Sequence, residues 1–168
     1  MTNIPLSQMF LSTLVALGIF TPAWAQEKSP KIPETNQKIL KFVRQSQGKQ
    51  VGNGECWTLA SFATNQARAK RPGQDGLKLY EYGRLLKKGE PVLPGDIVQF
   101  NQAKFVSPNG FFQVLPMHTA IVDHVKGSQL RMWHQNFNGR RTVHSLTIDR
   151  SHLKQGLMLI YRPQPRSR

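Results

Sequence analysis

The chain contains one cysteine, Cys56, and five histidines, His118, His124, His134, His144 and His152. A thiol acts as a nucleophile when a base lies within hydrogen-bond reach and a third polar group holds that base in one orientation and tautomer. A lone cysteine forms no intramolecular disulfide and no cysteine-based zinc site. Cys56 is therefore a buried small hydrophobe, an intermolecular link or a reactive group. No two histidines have the i, i+4 spacing of a helical zinc peptidase. No metal is expected, and acyl transfer through a thiol requires no cofactor.

The residues around Cys56 suit a nucleophile. Gly48 to Gly54 is a turn carrying three glycines, and after it Cys56, Leu59, Ala60, Ala63 and Ala67 fall on one face of a helix. The pattern predicts a helix ending near Lys70, before Pro72-Gly73. The thiol then sits at a helix N-terminus, where unpaired N–H groups favour the thiolate. Alanine or valine would fill a purely structural position without the risk of oxidation.

Two stretches rich in β-branched and aromatic residues, Met117 to Val125 and Gln129 to Phe137, read as strands. A hairpin looping through Lys126, Gly127 and Ser128 sets His118 opposite Asn136 and Ala120 opposite His134. His118, His134 and Asn136 then project from one face, giving a base with two candidate orienting groups. A two-residue loop at Gly127-Ser128 shifts the register by one and breaks this alignment unless a bulge restores it. His124 lies near the turn, about 20 Å along the strand from His118. His144 and His152, with charged residues around them, are expected at the surface.

The remaining elements must position these groups. Ile39, Leu40, Phe42 and Val43 predict an amphipathic helix over Gln37 to Gln47, capped by Thr35 or Asn36. Gly76 to Gly89 reads as loop with a short element. Asp96 to Phe100 and Gly156 to Arg162 add further strands. Helices first and strands afterwards give an α+β class.

Residues 1–25 read as a secretory signal peptide, with an apolar run from Met9 to Phe20 followed by Ala23-Trp24-Ala25. Thr21-Pro22 stops the run short of the roughly 18 apolar residues expected of a membrane span. A secreted or periplasmic location follows, with no transmembrane segment after cleavage. Residues 26–35 are a proline-containing lead-in, 36–162 one domain and 163–168 a frayed basic tail. Twenty-three Lys and Arg against nine Asp and Glu give a net charge of +14. Such a field concentrates polyanions without naming one. The basic residues are dispersed and no base-stacking platform is evident, so no specific nucleic-acid partner is expected.

Three segments resemble the cysteine, histidine-dependent amidohydrolase/peptidase (CHAP) domains of the papain-like cell-wall hydrolase superfamily. Val51-Gly52-Asn53-Gly54-Glu55-Cys56-Trp57 looks like their glycine-rich approach to a helix-starting Cys-Trp. Leu93-Pro94-Gly95-Asp96-Ile97-Val98 looks like the strand entering their barrel, and His118-Thr119-Ala120-Ile121-Val122 is similar to their catalytic-histidine strand. Trp133-His134-Gln135-Asn136 follows, with His134 where those domains often carry Glu. The resemblance implies a papain-like fold with N-terminal helices packed on an antiparallel sheet or half-barrel, and an amidase or endopeptidase acting on peptidoglycan. It implies catalysis by Cys56 and His118, orientation by His134 or Asn136, and an oxyanion donor at Gln50. Two rivals stand beside this reading: a catalytically inactive basic wall-binding module, and a secreted antibacterial amidase of the same chemistry.

Overall fold

The computed structural model describes residues 30–74 and 79–167. The expected signal peptide lies outside the described residues. Helix α1 spans Glu34–Gln45 and buries Asn36, Ile39, Leu40 and Val43, the face that its apolar spacing requires. Its N-cap is Pro33, and neither Thr35 nor Asn36 caps it. Asn36 instead turns inward and donates to the Pro94 carbonyl at 3.0 Å and to Asp96 Oδ1 at 2.9 Å. Helix α2 spans Cys56–Gln66, four residues shorter than predicted at its C-terminal end. It stops there because Arg68 takes a left-handed φ of 53°, which no helix continues.

Beyond α2 come three two-residue strands, β1 (Gly73–Gln74), β2 (Tyr80–Glu81) and β3 (Arg84–Leu85). The long strands follow as β4 (Ile97–Val106), β5 (Phe112–Lys126), β6 (Gln129–His134), β7 (His144–Asp149) and β8 (Leu153–Arg162). Six of these form one antiparallel sheet in the order β3-β8-β4-β5-β6-β7. Alternating side chains give it two apolar faces. Ile97, Ile121, Trp133 and Tyr161 pack with Ile39 and Val43 of α1 and with Leu59, Ala60 and Ala63 of α2. Val98, Phe100, Ala120, Val122, Leu130, Met132 and Ile148 build a second core on the other face.

The β5–β6 hairpin settles the register question. Lys126 pairs with Gln129, so the loop is the two residues Gly127 and Ser128. The pairing then shifts by one between Val122 and His124, a bulge at Asp123 that sets Ile121 opposite Trp133. The bulge thus restores the alignment that the short loop would have lost. Asp123 itself is nearly buried and accepts from Arg44 of α1 at 2.9 Å.

Asp96 ties the helices to the sheet. It is fully buried, accepts from the Leu93 N–H and from Asn36, and receives two bonds from Arg162 at 3.1 and 2.8 Å. Gly95 beside it has φ of +84°, and a Cβ there would lie 2.5 Å from the Asn36 carbonyl oxygen, so α1 approaches this close only over glycine. Residues 163–167 do not fray. Lys70 N–H donates to the Gln164 carbonyl, Arg166 N–H to the Arg68 carbonyl, and Ala69 bridges Pro165.

Candidate active site

Cys56 is the first residue of α2, as the apolar pattern behind it requires. The loop leading into it is held by a residue the sequence analysis passed over. Gln135 is fully buried, and its side chain accepts from Val51 N–H at 3.1 Å while donating toward the Val51 carbonyl (2.9 Å), the Glu55 carbonyl (2.8 Å) and Thr58 Oγ1 (3.1 Å). Its position between His134 and Asn136 was visible in the sequence. A glutamine with no partner in view gave no sign of that role.

β5 pairs with β6 only as far as Ile121, which leaves the edge of β5 at Thr119 free to meet the start of α2. The Thr119 N–H and hydroxyl and the Trp57 N–H lie against the Cys56 sulfur and favour the thiolate. Burial outweighs them and, with the Glu55 carboxylate adding to it, pushes the thiol above its ordinary value. The expected thiolate at the helix start is thus overridden by desolvation. The single Thr119 hydroxyl proton can turn from the sulfur to Gln99 Oε1, 2.9 Å away, and Gln99 Nε2 donates to the His118 carbonyl at 3.1 Å. Tyr82, buried among the same groups, has its phenol pushed well above the ordinary value by burial.

His118, next to Thr119, projects with His134. Their rings are edge to face, and His118 Nε2 lies 2.8 Å from His134 Nδ1 in one buried hydrogen bond. Phe137 closes over both rings. Burial pushes His118 down to about 4 and His134 down to about 3, with charge on neighbouring histidines adding to the effect. Both imidazoles are therefore neutral at pH 7, and the thiol is protonated. No hydrogen bond joins the thiol to either ring.

Asn136 and Gln50 go elsewhere. Asn136 has a left-handed φ of 58°, and its amide donates to Glu55, whose carboxylate also pairs with Arg141 at 3.0 Å. It therefore braces the residue before the nucleophile and makes no bond to His118. Gln50 is exposed and donates to the Gly52 carbonyl of its own turn at 3.4 Å. His144, expected at the surface, is half-buried on β7 and directly opposite His134, the ring centroids 4.2 Å apart. His124 is exposed, and His152 sits half-buried in a 3-10 turn away from the pair. Among the described residues no cluster of His, Cys, Asp and Glu could hold a metal.

The AIM3/BBC1 cysteine proteinase-fold domain matches residues 34–168. Altered inheritance of mitochondria protein 3 of Debaryomyces hansenii is 26% identical over an alignment 170 residues long that covers 87% of this chain and 18% of that relative. The chain thus spans under a fifth of that protein's length. The crystal structure of Ly7917 superposes with a TM-score of 0.53 at 22% identity, over 75% of this chain and 62% of its own. The structure of Ly7917 with the hydrolyzing product of MDP superposes with a TM-score of 0.50 at 22% identity, over 76% and 62%. These matches support a papain-like cysteine-proteinase fold without singling out its CHAP branch. A helix-starting cysteine, a histidine strand and a polar residue on the next strand come in this order along residues 34–168, and the chain belongs to the AIM3/BBC1 cysteine proteinase-fold family.

Proposed function

We propose that this domain hydrolyses amide bonds, with Cys56 as nucleophile, His118 as its base and His134 orienting His118. The observations that support the reading are the buried 2.8 Å bond between His118 Nε2 and His134 Nδ1 and the contact of the Cys56 sulfur with Thr119, the residue after His118 on β5. That bond occupies His118 Nε2 and leaves Nδ1 as the basic nitrogen. Thiol and imidazole rest neutral, so the proton moves during attack. The Cys56 sulfur bonds to the amide carbon as its proton passes to His118 Nδ1. The resulting oxyanion faces N–H groups at the start of α2. The C–N bond then breaks, His118 returns the proton to the departing amine, and a thioester remains. Water attacks the thioester, its proton going to His118 and then to the released Cys56 sulfur.

For substrate we favour peptidoglycan. The +14 charge suits an anionic wall polymer, and the similar Ly7917 is a protein solved with the hydrolyzing product of MDP. A CHAP-type amidase or endopeptidase, exported by its first 25 residues to a secreted or periplasmic location, fits both. The raised thiol favours a second reading, a basic wall-binding module whose site is inactive. Incubating residues 26–168 with purified peptidoglycan and following newly released amines separates the two. Release by the wild type and none by Cys56→Ala, with wall co-sedimentation unchanged, supports the hydrolase. Turnover retained in Cys56→Ala sinks the mechanism, and salt-sensitive binding without any wild-type turnover establishes the binding module.

A further inference from the structure

The tautomer of His134 decides whether the histidine pair works. For His118 Nδ1 to accept a proton, His118 must donate through Nε2 to His134 Nδ1, and His134 must then carry its own proton on Nε2. That nitrogen is buried and has no hydrogen-bond partner. An unpaired buried donor favours the opposite tautomer, in which His134 donates to His118 and removes it as a base.

His144 offers a counterweight. Three rings pack on His134, namely His118 at 5.0 Å, Phe137 at 5.5 Å and His144 at 4.2 Å between centroids. His144 Nδ1 lies 2.8 Å from the Thr142 carbonyl, which accepts only, so this nitrogen carries the His144 proton. The carbonyl enriches the His144 ring in electrons, and its face becomes an acceptor for an N–H dipole. The cross-strand pairing of His134 with His144 holds the two rings together.

We infer that His144 is a positioning residue: its ring face receives the His134 Nε2 proton and so keeps His134 Nδ1 as the acceptor for His118. The inference rests on the assignment of His118 as base, and it adds a third imidazole to the row. Arg140 is the other charged group that His134 senses, and its positive charge opposes protonation of the ring rather than choosing between its neutral forms.

The test is a two-bond proton–nitrogen correlation spectrum of the histidines at pH 7 in residues 26–168, beside peptidoglycan kinetics. Wild type should show His134 protonated on Nε2 alone. His144→Leu removes the ring face and should give mixed His134 tautomers, with kcat lowered about tenfold and KM unchanged. His144→Phe keeps a ring face and should restore the single tautomer. A His144→Leu protein whose His134 stays on Nε2, or a His144→Phe protein that behaves like His144→Leu, overturns the role of His144 alone. A wild-type His118 protonated on Nδ1 overturns the base assignment instead.

Discussion

Gln135 and Val51 exchange two hydrogen bonds, the amide oxygen accepting from the Val51 N–H at 3.1 Å and the amide nitrogen donating to the Val51 carbonyl at 2.9 Å. The end of β6, where His134 lies, is thereby fixed to the loop that delivers Cys56. Gln135→Leu keeps the volume and strands the Val51 N–H, while the Val51 and Glu55 carbonyls keep donors from Gly54 and Thr58. It should cost about 1–3 kcal/mol of stability in urea unfolding. A cost below about 1 kcal/mol would mean that water replaces the amide.

Burial raises the Cys56 thiol while Thr119 and Trp57 oppose the rise. Alkylation of Cys56 by iodoacetamide, followed by mass across pH 6 to 11, should therefore reach half its maximal rate above the roughly 8.5 of a free cysteine. Thr119→Val removes a donor to the thiolate and should move the midpoint up. Glu55→Gln removes a like charge and should move it down. A wild-type midpoint below that of free cysteine contradicts the account.

The histidine pair should make the fold sensitive to acid. Both groups are depressed in the folded state from 6.5, to about 4 and about 3, so in that window the unfolded chain binds more protons. Stability is full above pH 6.5 and is lost as pH falls toward the folded values, by up to about 1.4 kcal/mol per pH unit for each imidazole. Denaturant midpoints of wild type and His118→Phe between pH 7 and 4 test this, and the variant should show the shallower fall. Parallel curves would remove His118 from the linkage.

Arg162 supplies two of the bonds on the buried Asp96 carboxylate. Arg162→Met leaves that charge without its cation and should cost about 3–5 kcal/mol. The double variant Asp96→Asn, Arg162→Met should recover part of the loss, read from thermal melts. A single variant within about 1 kcal/mol of wild type would show that Asn36 and the Leu93 N–H suffice.

What the sequence revealed and what it hid follow from range. The α2 face of Leu59, Ala60 and Ala63 was legible because helical period is a local property, and each of these residues is buried. The partnership of His118 with His134 was legible only through strand register, and that depended on a bulge at Asp123, whose carboxylate pairs with Arg44 far off on α1. Asn136 shares the parity of His134, but its backbone leaves the extended region, and parity says nothing past that point. Strand β7 carries only Leu146 and Ile148 in alternation, too short a pattern to separate from loop, so the place of His144 beside His134 went unseen. The raised thiol was hidden for another reason. Helix position predicts the sign of a dipole, whereas desolvation depends on what the fold lays over the sulfur.

Residues 163–167 lie along Arg68, Ala69 and Lys70, just past the C-terminal end of α2. The nucleophile is at the other end of the same helix. For anyone labelling or immobilising this protein, these last residues should be kept: a fusion joined directly after Arg162 would strip the fastening from one end of a rod whose opposite tip holds Cys56. Attachment at the exposed Gly110 turn between β4 and β5 leaves that fastening intact.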